Sequence, residues 1–282
     1  MDFTVRELAK LRQELAAYLP GECDVFVVGA FASQLWLHEH NQQPYRGTRD
    51  VDFVIGVPTY GAYATLRDDL AANWPRVQGT RGGHTLILRG GLVLDLLPFE
   101  AYVDRRDDRA YRELWQGPSE LVGFTEVAQR GTRVYEVDGA KVESATAPAL
   151  IGLKLIALND RPERRLKDAE DIGQLIAYYP DFEDENVWDN HNDLFEEGVD
   201  MNQAGQTALG REVRAVFASN PPLCDRLAEV VEGLSTGTHP GVTELARGLG
   251  RDGARVREVL RHLLTGFRQN WTPPTSASLP DG

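Results

Sequence analysis

The sequence predicts an α/β (α+β) protein: a mixed sheet with flanking helices, followed by a helical domain. Three observations predict it. Up to about residue 145, short apolar strands alternate with helical segments. Two glycine-containing turns, Gly90-Gly91 and Asp138-Gly139, sit where hairpins would reverse. After Thr146 the apolar spacing is helical throughout.

The elements follow in order. Thr4 and Glu7 form a capping-box pattern, and Leu8, Leu11, Leu15 and Tyr18 recur at helical spacing, so residues 4–18 are a helix. Asp24 to Val28 is a short buried strand ended by Gly29, and a helix runs directly on from Ala30 to Glu39. After a polar loop, His40 to Arg49, comes a strand from Asp50 to Ile55, then a helix from Thr59 to Asn73. Residues 84–97 form a hairpin about Gly90-Gly91, and Thr132–Tyr135 pairs with Lys141–Glu143 about Asp138-Gly139. Helices then cover Pro148–Leu158, Arg164–Tyr179, Ala204–Ala218, Leu223–Leu234, Val242–Leu249 and Ala254–Phe267. Residues 181–200 hold nine acids and no Lys or Arg, which reads as a solvated, partly ordered connector. The expected organisation is an α/β domain over 1–145, a helical domain over 146–271 and a disordered Pro/Ser-rich tail over 272–282.

Composition narrows the class. Of 282 residues, 42% are hydrophobic and 26% charged, a globular balance. No run of about 18 apolar residues exists, so no membrane partner is expected. The opening residues lack a basic-then-apolar leader pattern, and two cysteines, Cys23 and Cys224, make no disulfide framework; a cytoplasmic location is expected. The net charge of −13 excludes binding to nucleic acid through the overall field. Only four lysines occur, Lys10, Lys141, Lys154 and Lys167, so their positions are informative.

Three acids stand where a core is expected. In the strand from Asp50, side chains alternate, so Val51, Phe53 and Ile55 share one face and Asp50 and Asp52 the other. Two like charges on one face need a cation between them. A divalent metal with oxygen ligands would serve, as would an ion-pair cluster with Arg46 and Arg49. Asp95 is the only charge in Leu92 to Phe99, and an unpaired carboxylate there is costly to bury. Gly29, between a buried strand and a helix, offers bare backbone N–H groups to a phosphate. Together these features favour a metal and phosphate site over separate structural roles. No Walker A motif occurs. Further on, Lys154 is the only charge between Ala147 and Leu158, in a helix apolar nearly all round, and a buried ammonium needs an anionic partner. Lys167 and Asp171 are spaced for an exposed i,i+4 ion pair.

The ordered set Gly29-Ala30, Arg46-Gly47-Thr48-Arg49-Asp50-Val51-Asp52 and Leu94-Asp95-Leu96 resembles the nucleotidyltransferases of the DNA polymerase β superfamily. Leu153-Lys154 to Asp160-Arg161, followed by Lys167-Asp168-Ala169-Glu170-Asp171, looks like the abortive-infection (AbiEii/AbiGii) toxin type. The resemblance spans roughly residues 24–178. It implies a magnesium-dependent enzyme that moves a nucleoside monophosphate from an NTP to an acceptor hydroxyl. The acceptor would be a tRNA 3′ end or a protein, and a cognate antitoxin is an implied partner. Asp50, Asp52 and Asp95 would be the catalytic metal ligands. Gly29, Ala30, Ser33 and Thr48 would line the nucleotide's phosphates, Lys154 and Lys167 would neutralise charge, and Asp168 and Asp171 would orient the lysines or contact the nucleotide. The sequence departs at Gly29-Ala30, where many members carry Gly-Ser; Ser33 is the next hydroxyl along. A small-molecule acceptor, as in aminoglycoside nucleotidyltransferases, is the alternative within the enzyme class. A catalytically silent binding protein is the alternative outside it.

Other motifs read as structural. Gly248-Leu249-Gly250-Arg251-Asp252-Gly253 matches G-x-G-x-x-G but follows a helix, and Gly233-Leu234-Ser235-Thr236-Gly237 matches G-x-S-x-G in what reads as a loop. Asp189 to Asp193 reads as solvated, and His38, Glu39 and His40 lack further zinc ligands. Val242 to Leu264 reads as two helices with a glycine turn, or as a helix-turn-helix.

Overall fold

In a computed structural model, residues 4–19, 23–43, 47–100 and 122–273 are described. Two compact units divide the chain at Leu150.

The first unit begins with α1 (Val5–Ala16). The Thr4 hydroxyl accepts from the Glu7 N–H at 3.3 Å, and the Glu7 carboxylate accepts from the Thr4 N–H at 2.7 Å. This reciprocal cap satisfies two donors that the first turn leaves open. β1 (Val25–Val28) is buried at all four residues, and α2 (Gly29–Glu39) starts from it with no intervening loop. β2 (Asp50–Val57) leads to α3 (Tyr60–Asn73), whose Thr59 cap accepts from the Ala62 N–H at 3.1 Å. Next come β3 (Val77–Arg81), β4 (Thr85–Leu88), β5 (Val93–Glu100), α4 (Phe124–Arg130), β6 (Thr132–Val137) and β7 (Ala140–Ala145).

The seven strands form one mixed sheet in the order β3-β4-β5-β2-β1-β7-β6. β2 runs parallel to β5 and antiparallel to β1, while β1 runs parallel to β7. Both expected hairpins are present. Gly90 and Gly91 take positive φ between β4 and β5, and Asp138 and Gly139 do so between β6 and β7, as a type I′ turn requires. Two elements carry no clear sequence pattern. β3 is a short, largely exposed edge strand, Val-Gln-Gly-Thr-Arg, without alternation, and α4 has seven residues and one buried side chain.

α5 (Ala147–Asp160) crosses the boundary between the units. The second unit continues with α6 (Leu166–Phe182), α7 (Asp184–Asn190), a 3₁₀ turn at 192–194, α8 (Met201–Val216), α9 (Pro221–Thr236), α10 (Val242–Leu249) and α11 (Gly253–Arg268). Glycines set its two tightest helix crossings. On α6 and α10, a Cβ at Gly173 would overlap the Leu245 carbonyl oxygen, and one at Gly248 would overlap the Glu170 carbonyl oxygen. On α8 and α11, a Cβ at Gly210 would overlap the Leu263 carbonyl oxygen, and one at Gly266 the Thr207 carbonyl oxygen. Each crossing is thus reciprocal, with backbone on backbone and Leu245, Leu249, Leu263 and Phe267 buried around it.

The helical unit corrects two readings. Residues 181–200, expected as a solvated, partly ordered connector, are ordered over most of their length: α6 ends at Phe182, then α7 and the 3₁₀ turn follow, with Val187 and His191 fully buried. Gly233 to Thr236 is the end of α9 rather than a loop, with Gly237 as its left-handed cap. Gly248 and Gly250, by contrast, have the structural roles expected of them, at a helix crossing and a helix cap. The two helices about Gly250 pack separately, α10 against α6 and α11 against α8 and α9. No described helix is long and apolar enough to cross a membrane.

Candidate active site

The sheet builds the site. On β2, Val51, Phe53 and Ile55 are wholly buried, so Asp50 and Asp52 take the opposite face, as the alternation requires. β5 then brings in the third acid. Its parallel register sets Asp95 beside Asp52, and Val93 beside Asp50. On the next strand out, Thr85 is the antiparallel partner of Asp95, and on the inner side Val28 is the partner of Asp52. A row of four residues therefore crosses four strands: Thr85, Asp95, Asp52, Val28. Adjacent strands lie about 4.8 Å apart, which sets the two carboxylates side by side.

The row ends at the turn into α2. Gly29 has φ +69°, and a Cβ there would overlap Asp52 Oδ2. Glycine is required twice over, for the left-handed backbone and for the approach of the carboxylate. The rest of the turn is less committed to a ligand. Ser33 Oγ donates to the Gly29 carbonyl at 3.5 Å, back into its own helix, and Ala30 is half-buried. The Asp50 N–H donates to Thr48 Oγ1 at 3.1 Å, so this hydroxyl fixes the start of β2.

Each carboxylate has its own environment. Asp50 is exposed. Asp95 is half-buried and accepts a hydrogen bond from Thr85 Oγ1 at 2.5 Å. Arg49, one of the two arginines considered as neutralising partners, makes no ion pair among the described residues, and Arg46 lies outside them. No group of three or more His, Cys, Asp or Glu side chains suited to a metal ion occurs among the described residues. Asp50, Asp52 and Asp95 thus share a face without closing into a three-carboxylate cage. Magnesium does not need one: it is commonly held by one or two carboxylates together with substrate phosphates and water. The Asp52–Asp95 pair, with hard oxygen donors, fits that demand.

The second unit holds the lysine cluster. Lys154 Nζ donates to Asp171 Oδ2 at 2.7 Å and to Asp168 Oδ1 at 3.0 Å. Burial alone would lower the ammonium's pKa, but Asp168 and Asp171 outweigh it and hold the pKa above the usual lysine value. The anionic partner expected for Lys154 is therefore this pair of carboxylates. Asp171 thus closes on the buried Lys154, while Lys167 is exposed.

Two polar groupings have only weak sequence signals. Thr85 is the first; the hairpin about Gly90 sets residues 85 and 95 at equal distance from the turn, which was signal enough to find it. The second lies around His191, in the acidic segment expected to be solvated. His191 is fully buried, stacks on Trp271 at 4.3 Å between ring centres, and contacts Glu212 Oε1 through Nε2 at 3.2 Å. Tyr179 donates to Glu212 Oε2 at 2.6 Å, and burial together with Glu212 pushes its phenol pKa well above the usual value. Arg211 grips both oxygens of Asp193, at 2.7 and 2.6 Å.

No protein-family model matches the chain, and no curated protein matches it. Among solved structures it is similar to the crystal structure of an antigenic nucleotidyltransferase-like protein from Paracoccidioides brasiliensis. The sequences are 18% identical, the TM-score is 0.41, and the likeness covers 80% of this chain and 94% of that one.

Proposed function

We propose that the chain is a magnesium-dependent nucleotidyltransferase that moves a nucleoside monophosphate from an NTP to an acceptor hydroxyl. The observation that carries this reading is the register of β2 and β5. It sets Asp52 beside Asp95 on one face, with Asp52 against the Gly29 turn. Two carboxylates on adjacent strands offer hard oxygen donors to a cation brought in with a ligand. Asp52 and Asp95 would hold magnesium, with Asp50 at the exposed end of the same face. The bound metal supplies charge stabilisation to the triphosphate and to the oxygens that attack and leave.

The chain's own residues divide the remaining work. The Gly29–Ala30 turn, at the start of α2, directs backbone N–H groups toward phosphate oxygens. Asp95 accepts the proton of the acceptor hydroxyl. The hydroxyl oxygen bonds to the α-phosphorus, the bond to the β-phosphate oxygen breaks, and pyrophosphate leaves with that electron pair. By the resemblance of its motifs, the protein acts in the cytoplasm as a toxin or phage-defence component, on a tRNA 3′ end or a protein, with an antitoxin as partner.

Incubating the protein with each α-³²P-labelled NTP, magnesium and total RNA tests the reading. Label should enter RNA or protein with the wild type and be lost with Asp50→Ala/Asp52→Ala. Absence of label everywhere, together with no NTP binding by calorimetry, would overturn it.

A further inference from the structure

We infer that Thr85 is a positioning residue for the transfer reaction: its hydroxyl fixes the carboxylate of Asp95 in the orientation that serves magnesium and the acceptor hydroxyl. The inference rests on the nucleotidyltransferase reading and adds a residue to that site.

The geometry starts from the hairpin. β4 and β5 pair Thr85 with Asp95 directly, with Leu86 opposite Leu94 as the next pair. Opposed side chains in an antiparallel pair share a face and lie about 5 Å apart, within reach of a short hydrogen bond. Thr85 Oγ1 donates to Asp95 Oδ1 at 2.5 Å. Thr85 is only 5% exposed, so the hydroxyl is shielded from competing water and a buried hydroxyl needs a partner. The β-branched side chain restricts χ1, which limits the directions from which the hydroxyl can donate.

The chemistry of the partner carries the argument further. Among the described residues, the Asp95 carboxylate has Thr85 as its one side-chain partner, and that partner is neutral. A neutral donor orients a carboxylate without cancelling its charge. An arginine or lysine in this place would orient it as well, and would also compete with a divalent cation. Lys154 shows that alternative in the same chain, where one buried ammonium pairs with both Asp168 and Asp171. The hydroxyl occupies one lone pair of Oδ1, and a carboxylate has about four. The rest stay available to a cation or to a proton from the acceptor. Removing an outer partner of a metal-binding carboxylate typically costs about 10- to 100-fold in metal affinity or activity.

Two variants test this. Thr85→Val keeps the shape and removes the hydroxyl; Thr85→Ser keeps the hydroxyl. Each is compared with the wild type by label transfer from the preferred NTP, by Mn²⁺ binding read by electron paramagnetic resonance with a non-hydrolysable NTP, and by thermal melting. Thr85→Val should lower kcat about 10- to 100-fold and weaken Mn²⁺ by a similar factor, with KM for NTP within about twofold. Thr85→Ser should recover most of both. The inference is overturned if Thr85→Val matches the wild type in kcat and Mn²⁺ affinity. It is also overturned if Ser fails as Val does while both melt early, which makes the contact structural. A wild-type protein that neither transfers label nor binds NTP would instead overturn the nucleotidyltransferase reading on which the inference stands.

Discussion

Carboxylates are used in two opposite ways in the two units. In the helical unit, Asp168 and Asp171 close on the buried Lys154, and their charge is spent within the protein. In the sheet unit, Asp52 and Asp95 lie side by side, Asp50 is exposed, and the partner of Asp95 is a hydroxyl. The first arrangement is what stability asks for once a charge is buried. The second sets two acids on adjacent strands and holds one of them, Asp95, by a neutral donor. The difference points to Asp95 as the place to look for function: its neighbour Thr85 orients it without neutralising it.

Substitutions can break that comparison. Lys154→Met should give the largest loss of stability, about 3–5 kcal/mol, because it removes the buried ammonium shared by two largely buried carboxylates. Chemical denaturation measures it directly. The sheet acids should behave in the opposite way. Asp52→Asn should reduce transfer at least about a hundredfold while costing far less stability than Lys154→Met, since it keeps the side chain's shape and removes one of two adjacent like charges. If Asp52→Asn instead destabilises as strongly as Lys154→Met, the two clusters are alike and the contrast fails.

Smaller effects sharpen it. Gly266→Ala places a methyl group on the Thr207 carbonyl and should cost about 1–3 kcal/mol by denaturation, with NTP binding unchanged. Gly29→Ala should cost about 1–2 kcal/mol for its left-handed backbone and, unlike Gly266→Ala, should also weaken NTP binding by displacing Asp52. The smallest effect is at Asp193. Its hydrogen bond and charge contact with Arg211 hold its pKa below the ordinary 3.8. A lowered carboxylate pKa means that the pair's contribution is present above the unfolded value and fades as pH falls through the folded one. Asp193→Asn should therefore lower the melting temperature slightly at neutral pH, and the difference from the wild type should begin to close only as pH falls below about 3.8.

The legible part of the fold was local. The Thr4 cap, the alternation from Asp50 to Ile55 and the two glycine turns each depend on a few neighbouring residues, and each appears where expected. The placement of Asp50 and Asp52 on one face was legible for the same reason. That Asp95 stands beside Asp52 was legible only through the resemblance, because a parallel register between strands some forty residues apart leaves no local trace. The glycine crossings were hidden too: Gly210 and Gly266 are ordinary helix residues until two helices meet. The segment from 181 to 200 misled through composition. Its acids dominate the count, whereas Val187 and His191 decide its structure by being buried.

Thermal melting of the wild type and Asp95→Asn, each with and without magnesium and the preferred NTP, tests the central claim most directly. The account predicts that Asp95→Asn alone melts at or above the wild type, and that magnesium–NTP raises the wild-type melting temperature but not the variant's. A variant that melts well below the wild type without ligand, and gains the same shift as the wild type with it, would show Asp95 to be a structural acid and would contradict the account.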